Sequence, residues 1–372
     1  MRIGMPREIK PDEHRVGLVP ASVRELVHHG HQVLVERGAG TVIGLLDDDY
    51  ARAGAVLVDG AEAVWSGADM VVKVKEPQPP EVAMLRENQI LFTYLHLAPD
   101  PDLTRSLMTT GATCIAYETV TNTRGGLPLL APMSEVAGRM SVQAGAHCLE
   151  IEQGGRGMLL GGVPGTLPAK VVVLGGGVVG SNAARVALGM EADVTILDLS
   201  LPRLSELDLH FGPALNTAFS TVDMVHQLVA EADLVVGAVL VPGAEAPKLI
   251  TEAMVRDMKK GSVIVDVAVD QGGCAETTRA TTHSNPTYTV HEVVHYCVAN
   301  MPGAVARTSA FALNNATLPF TLAMAYKGVE AALGDDPHLL AGLNVFRGQV
   351  TYQAVARATE QPYTDPRTLL GR

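Results

Sequence analysis

Cysteine is scarce: Cys114, Cys148, Cys274 and Cys297 are the only four in 372 residues. They are too few and too scattered for a disulfide scaffold, and they fit reduced thiols in a cytoplasm. Charge is also sparse, at 18% of residues against 47% hydrophobic, which excludes a disordered chain. Basic residues are the minority among the charges, 28 Lys and Arg against 40 Asp and Glu, for a net −12. An acidic surface of this kind repels phosphate backbones and anionic lipid, so neither nucleic acid nor a membrane surface is expected as the main partner. Long apolar runs are missing too. The amino terminus, MRIGMPREIK, has no continuous apolar block of the secretory type. The longest uncharged stretch near the carboxyl end, Thr308 to Tyr326, contains Asn314, Asn315, Thr317 and Pro319; these are costly in hydrocarbon, and the stretch reads as a buried helix. No internal repeat or low-complexity tract is seen.

What is present is an α/β rhythm. Short β-rich runs at Arg2 to Met5, His31 to Val35, Met70 to Lys75, Gln89 to Leu97 and Thr113 to Ala116 alternate with longer stretches of helical spacing. Arg124 to Pro132 carries two glycines and two prolines and suits a crossing segment. A long helix is expected from Ser134, as N-cap, to Gln153. After Gly161 to Pro168 a second α/β series begins, with strands expected at Val171 to Leu174, Val194 to Leu197, Leu234 to Gly237 and Val263 to Val267. Beyond Pro302 the chain turns helix-rich, and this tail is expected to return to the first domain. The expected fold is therefore α/β with two Rossmann-like domains on parallel-sheet cores. A central domain, 128–306, is inserted into a discontinuous one made of 1–127 and 307–372.

The sharpest local signal is Leu174-Gly175-Gly176-Gly177-Val178-Val179-Gly180, a G-x-G-x-x-G set directly after a VVVL strand and before an Ala-rich segment. Gly175 suits the tight turn, Gly177 lets backbone N–H groups approach a pyrophosphate, and Gly180 lets helix and strand pack closely. The helix N-terminus, opening at Val178, adds positive partial charge. Eighteen residues past Gly180, Asp198 follows the next strand, placed to accept from a ribose hydroxyl and to disfavour a 2′-phosphate. NAD is the expected cofactor. Arg203 tempers the preference over NADP, since it suits either a phosphate or stacking on adenine.

A rival signal is His291-Glu292-Val293-Val294-His295, formally H-E-x-x-H. On a helix this places two imidazoles on one face to hold zinc. The β-branched and aromatic flanks argue for extended structure instead, where positions i and i+4 cannot share one ion. No metal site is expected.

Several segments together carry a likeness to a known family: Arg7 to Lys10, Arg15-Val16-Gly17-Leu18-Val19-Pro20, Val72-Lys73-Val74-Lys75-Glu76-Pro77, Tyr94 to Ala98, Ala131 to Gly138, the glycine loop, Gly237 to Lys248, Val265 to Gly273 and His295 to Gly303. The chain resembles the alanine dehydrogenases over nearly its whole length. Its amino-terminal and glycine-loop blocks are also similar to the NAD-binding part of proton-translocating transhydrogenases. The resemblance implies a catalytic domain built from both chain ends, a central NAD domain, a homohexamer, and reversible oxidative deamination of L-alanine to pyruvate and ammonium. Carried over by position, Arg15 and Lys75 would hold the substrate carboxylate, His96 would be the acid/base group, and Asp270 would complete the site. Ser134, Ser220, Asn300 and Met301 would join Gly175, Gly177, Val178, Gly180, Asp198 and Arg203 around the cofactor.

This set of residues makes chemical sense. An Arg fork grips a planar carboxylate, a Lys donor polarises a ketone oxygen, and an imidazole titrating near neutrality moves protons as water adds to an imine. Departures from the family pattern occur at Gly40-Thr41-Val42-Ile43-Gly44, at Leu207 to Phe211, and at Ala306, where proline is common. None is a proposed catalytic residue. Two alternatives stand beside this reading: a non-catalytic NAD-binding subunit of a transhydrogenase, and, more remotely, a zinc hydrolase using His291 and His295.

Overall fold

The computed structural model describes residues 1–239 and 246–371; part of the Gly237 to Lys248 segment, residues 240–245, lies outside them. Two compact units are present, Met1–Met133 with Ala306–Arg372, and Ser134–Val305. The first break comes a few residues after the boundary placed at 127/128 from sequence.

In the first unit, strands β1 (Arg2–Met5), β2 (Gln32–Glu36), β3 (Val56–Val58), β4 (Met70–Val72), β5 (Ile90–Thr93) and β6 (Thr113–Ala116) form a parallel sheet in the order β3-β2-β1-β4-β5-β6. The second unit repeats the plan with β7 (Lys170–Leu174), β8 (Asp193–Asp198), β9 (Leu215–Phe219), β10 (Leu234–Gly237), β11 (Val263–Asp266), β12 (Thr287–Val290) and β13 (Val293–Tyr296). Their order is β9-β8-β7-β10-β11-β13-β12, parallel except for the β12–β13 hairpin. Each sheet thus has the doubly wound strand order, with a switch point between its first and fourth strands, where ligands of such folds bind at the carboxyl ends. Two further strands, β14 (Leu343–Phe346) and β15 (Gln349–Val350), return to the first sheet; β14 runs antiparallel to β6.

The continuous apolar run of β7 follows from burial on both faces. Val171 and Val173 join one core with Ala183, Ala187 and Val236, while Val172 and Leu174 join another with Val225, Val229 and Ile264. In the first unit Trp65, Leu91, Leu107, Cys114 and Val345 share a core. All four cysteines are buried free thiols.

The tail supplies the expected helix, Ala306–Lys327, with Pro319 inside it and a buried face of Ser309, Leu313, Asn314, Thr317, Thr321 and Met324. Ala306 is its first residue, a position where proline's fixed φ would also fit. The helix expected from Ser134 to Gln153 differs at both ends. It spans Ala131–Cys148, so Ser134 lies inside its first turn and is not an N-cap. Pro132 is tolerated there because the first-turn N–H has no helical acceptor. At the other end Gly155 packs so tightly that a Cβ on it would fall 2.3 Å from the Cys148 carbonyl oxygen. The chain folds back over the last turn, and Ile151–Gln153 form a separate 3-10 turn.

Candidate active site

At the switch point of the first sheet, the loop after β1 crosses the end of β4. Gly17 permits this approach, since a Cβ there would lie 2.3 Å from the Val72 carbonyl oxygen. The loop is tied to the carboxyl-terminal helix by Asn314, which accepts from Val19 N–H at 2.8 Å and donates to the Val16 carbonyl at 3.3 Å. Arg15 is thereby held in the interior, 2% exposed. Its Nε and Nη2 donate to the two oxygens of Glu13 at 2.7 and 2.5 Å, and its Nη1 points at Met133 Sδ at 3.1 Å. Burial pushes Glu13 upward, but the hydrogen bonds and charge of Arg15 win and bring it down to about 2. Burial likewise acts against the Arg15 guanidinium, and Glu13 more than restores it.

Lys75 follows β4 and is half-buried. Its backbone carbonyl accepts from Thr93 Oγ1 at 2.9 Å. Burial first, then the nearby Arg15 charge, lower its pKa from 10.5. Next to it Lys73 is fully buried between Glu8 (3.0 Å) and Glu81 (2.7 Å). Tyr94, just past β5, donates to the Leu129 carbonyl at 2.6 Å, and its phenol also feels the Arg15 charge. His96 stacks on this ring, centroids 5.8 Å apart and planes at 11°. Arg15, Lys75, Tyr94 and His96 therefore belong to one locus, with an exposed imidazole at its edge.

In the second unit the glycine loop follows β7. Gly175 sits at φ +101°, and a Cβ on Gly180 would lie 1.8 Å from the Gly175 carbonyl oxygen. Gly177 differs: nothing lies within 4 Å of its Cβ position, and it precedes the helix Val178–Gly189, whose first turn no side chain caps. Open space before uncapped N–H groups is what a pyrophosphate needs, so the residues fit a dinucleotide. Gly138 brings the helix Ala131–Cys148 against this turn; its Cβ would lie 2.1 Å from the Val179 carbonyl oxygen. Asp198 accepts from Gly176 N–H at 2.7 Å and from Ser200 N–H at 2.8 Å. Ser220 follows β9 and donates its N–H to the Asp198 carbonyl at 3.0 Å.

Arg203 lies against the glycine loop. Its guanidinium spans the loop, donating to the Gly176 carbonyl (2.7 Å) and Ser181 Oγ (2.8 Å) and pairing with Glu206 (2.7 Å). Asp270 is exposed, on the 3-10 turn Val267–Gln271 after β11. Asn300, at φ +60°, and the buried Met301 follow β13. Asp270 belongs to the second unit, and Arg15, Lys75 and His96 to the first.

The H-E-x-x-H segment is a hairpin. His291 and Glu292, at φ +51° and +61°, form the two-residue loop between β12 and β13. His295 is buried on β13, bonded to Thr277 Oγ1 at 2.8 Å and stacked on Tyr288. Among the described residues no cluster of three or more His, Cys, Asp or Glu is arranged to hold a metal, and no helix is long and apolar enough to cross a membrane.

Sequence reasoning missed Glu13, Glu118 and Asn314. Asn314 left a trace, as an amide in an otherwise apolar helical stretch, and Glu13 another, as an acid two residues from Arg15. Glu118 meets Leu95 and His96 only through the fold.

Two doubly wound sheets, one with a glycine loop that fits a dinucleotide and one with a buried Arg beside a half-buried Lys, have the build of a dinucleotide-binding enzyme. Comparison with known proteins narrows the class. Residues 4–137 match the family model "Alanine dehydrogenase/PNT, N-terminal domain" and residues 141–353 match "Alanine dehydrogenase/PNT, C-terminal domain". The chain belongs to the alanine dehydrogenase/PNT family. It is 59% identical over 371 residues to the alanine dehydrogenase of Halomonas elongata, covering 100% of both chains. A solved L-alanine dehydrogenase superposes with a TM-score of 0.94 at 53% identity, covering 97% of this chain and 99% of that one. A transhydrogenase structure from Sinorhizobium meliloti superposes with a TM-score of 0.82 at 25% identity, over 95% of this chain and 100% of that one.

Proposed function

We infer that the chain is an NAD-dependent alanine dehydrogenase, interconverting L-alanine with pyruvate and ammonium. The observation that carries this reading is the cation pair Arg15 and Lys75 at the β1/β4 switch point. Arg15 is locked by Glu13, and Lys75 has no hydrogen bond or ion pair from its ammonium among the described residues. A 2-oxo acid supplies the carboxylate and the ketone oxygen that such a pair would bind. Transhydrogenase subunits share the fold, but a small-carboxylate clamp favours the dehydrogenase.

We assign Arg15 to the substrate carboxylate, Lys75 to the carboxylate and keto oxygen, and His96 to proton transfer as water adds to the imine carbon and ammonia leaves. Asp270 is assigned to the nicotinamide end. Ser134, Gly175, Gly177, Val178, Gly180, Asp198, Ser220, Asn300 and Met301 hold the dinucleotide, with Arg203 bracing the loop. When bound, NAD supplies the acceptor for the hydride leaving the alanine Cα. Asp198 disfavours NADP because a second anion would face its carboxylate. The domain roles, with residues 1–127 and 307–372 as the catalytic domain and 128–306 as the NAD domain, belong to the same reading, as do a homohexamer and a cytoplasmic location.

The test is NADH formation from NAD and L-alanine at alkaline pH, with D-alanine, L-lysine, L-glutamate and NADP as controls. Selective turnover of L-alanine with NAD supports the assignment. A folded protein that binds NADH yet turns over none of them overturns it in favour of the non-catalytic subunit. Light scattering of the purified protein tests the hexamer.

A further inference from the structure

We propose that Glu118 is the positioning residue for His96, acting on the backbone beneath the imidazole; this rests on the reading of His96 as the acid/base group. Strands β5 and β6 run parallel, with Thr93 opposite Ala116 as the last pair of the ladder. Two residues further along, regular pairing would set Leu95 beside Glu118. There the ladder is replaced by a side chain. The Glu118 carboxylate accepts from the N–H of His96 at 2.6 Å, and both its oxygens accept from the N–H of Leu95 at 3.2 Å.

Two successive N–H groups converging on one anion form a backbone nest, and such a turn needs a residue in the left-handed region. That residue is His96, at φ +49°. For a side chain with a Cβ this region is disfavoured and persists only where the surroundings impose it. Leu95 is fully buried in the core below and Tyr94 is fixed by its bond to the Leu129 carbonyl. The chain is thus anchored on one side of His96, and Glu118 fixes the turn that lays the imidazole parallel to the Tyr94 ring. Without the carboxylate, the turn has lost the acceptor that balances its strain. The imidazole then leaves the ring, and a proton-transfer group displaced by about 1 Å loses on the order of 100-fold in rate.

The experiment is a double-mutant cycle on the full-length enzyme in pyruvate amination. It reads kcat, KM for pyruvate and NADH, and thermal midpoint for Glu118→Ala, Glu118→Gln, His96→Asn and both Glu118 variants combined with His96→Asn. Glu118→Ala is expected to lower kcat on the order of 100-fold while KM for NADH stays at the parent value. Glu118→Gln, whose amide oxygen still accepts an N–H, recovers much of the loss. In the His96→Asn background neither Glu118 change lowers kcat further. If His96→Asn is inactive but Glu118→Ala keeps parental kcat, Glu118 has no such role and the His96 reading survives. A fully active His96→Asn overturns the His96 reading itself, and Glu118 with it. If Glu118→Ala does not fold, Glu118→Gln decides: a loss of the same factor with and without His96 shows a merely structural residue.

Discussion

Glu13 and Arg15 form a buried two-point ion pair, with Nε and Nη2 of the guanidinium at 2.7 and 2.5 Å from the two carboxylate oxygens. The two residues are only 4% and 2% exposed. Removing the carboxylate takes the two-point partner from a buried guanidinium, a loss of about 3–5 kcal/mol. Glu13→Ala is therefore expected to unfold at much lower urea. Glu13→Gln keeps the shape but loosens the fork, and should raise KM for pyruvate more than it lowers kcat. The pair also sets an acid limit. Glu13 lies at about 2 in the fold against an ordinary 4.5, so its stabilisation is complete above about 4.5 and fades as pH falls from there toward 2. Urea midpoints measured from pH 5 to 3 should fall less steeply in Glu13→Gln than in the parent; equal slopes would remove Glu13 from the acid transition.

Lys75 gives the opposite limb. Burial, followed by the Arg15 charge, lowers its pKa from 10.5, and an arriving carboxylate reverses part of that effect. With protonated Lys75 as the proposed pyruvate ligand, KM for pyruvate should rise as pH climbs through the lowered value, before 10.5 is reached. Calorimetry in two buffers of different ionisation enthalpy should show proton uptake on binding in that range. Lys75→Arg should carry the limb beyond the accessible pH. A pyruvate affinity constant up to pH 10.5 would exclude Lys75 as the titrating group.

How much of this was legible in the sequence depends on the range over which each signal acts. The buried central strands were marked by apolar runs with turn residues at their ends, and Thr113–Ala116 and Leu234–Gly237 are bounded as expected. The edge strand Leu215–Phe219 was missed because Asn216 and Thr217 break the apolar run on a strand that is buried only at Leu215. The tail was expected as helix alone, yet it adds β14 and β15; pairing of β14 with β6 is a contact more than two hundred residues long and leaves no local pattern. The site divides in the same way. Gly175, Gly177, Gly180 and Asp198 follow from a spacing rule, whereas Arg15, Lys75, His96 and Asp270 came from family resemblance. Glu118 reaches His96 only through the β5–β6 register, and Asn314 reaches Val16 across 298 positions.

Two glycines of the loop differ in what surrounds them. At Gly180 a Cβ collides with the Gly175 carbonyl at 1.8 Å, whereas at Gly177 it meets nothing. Gly180→Ala is expected to lose about 1–3 kcal/mol of stability through overpacking. Gly177→Ala should match the parent in thermal midpoint but weaken NADH binding by about 1.5–3 kcal/mol, the worth of a hydrogen bond to a charged group. Fluorescence titration of NADH beside a melting curve reads both. Unchanged NADH affinity in Gly177→Ala would place the pyrophosphate elsewhere.

Asn314 links the carboxyl-terminal helix to the loop that carries Arg15, bonding Val19 N–H and the Val16 carbonyl on either side of the Gly17 crossing. Both bonds are buried, so Asn314→Ala leaves two backbone groups unsatisfied, at ~1–3 kcal/mol each. The expected result is a lower melting temperature with a raised KM for pyruvate and an unchanged Kd for NADH, because the Arg15 loop and the dinucleotide loop lie in different units. Equal damage to both ligands would mean that Asn314 supports the whole fold and not the loop.

The zinc alternative can be tested through backbone conformation. Val290 pairs with Val293 across β12 and β13, leaving His291 and Glu292 as a two-residue turn with both φ values positive. Such turns favour Asn and Gly, because a Cβ in the left-handed region costs about 1–2 kcal/mol per residue. Glu292 is exposed and pairs with Lys260 at 2.6 Å, a contact worth no more than about 1 kcal/mol at the surface. Glu292→Gly is therefore expected to stabilise the protein slightly, by about 0.5 kcal/mol once glycine's own entropy is counted, and to leave turnover intact. If Glu292 were instead the general base of a zinc site, the same substitution would abolish activity, and chelator treatment would mimic it. A hairpin loop that gains stability and keeps activity is a turn, and its two histidines, one in the loop and one buried on the strand beside Tyr288, are then read as structural.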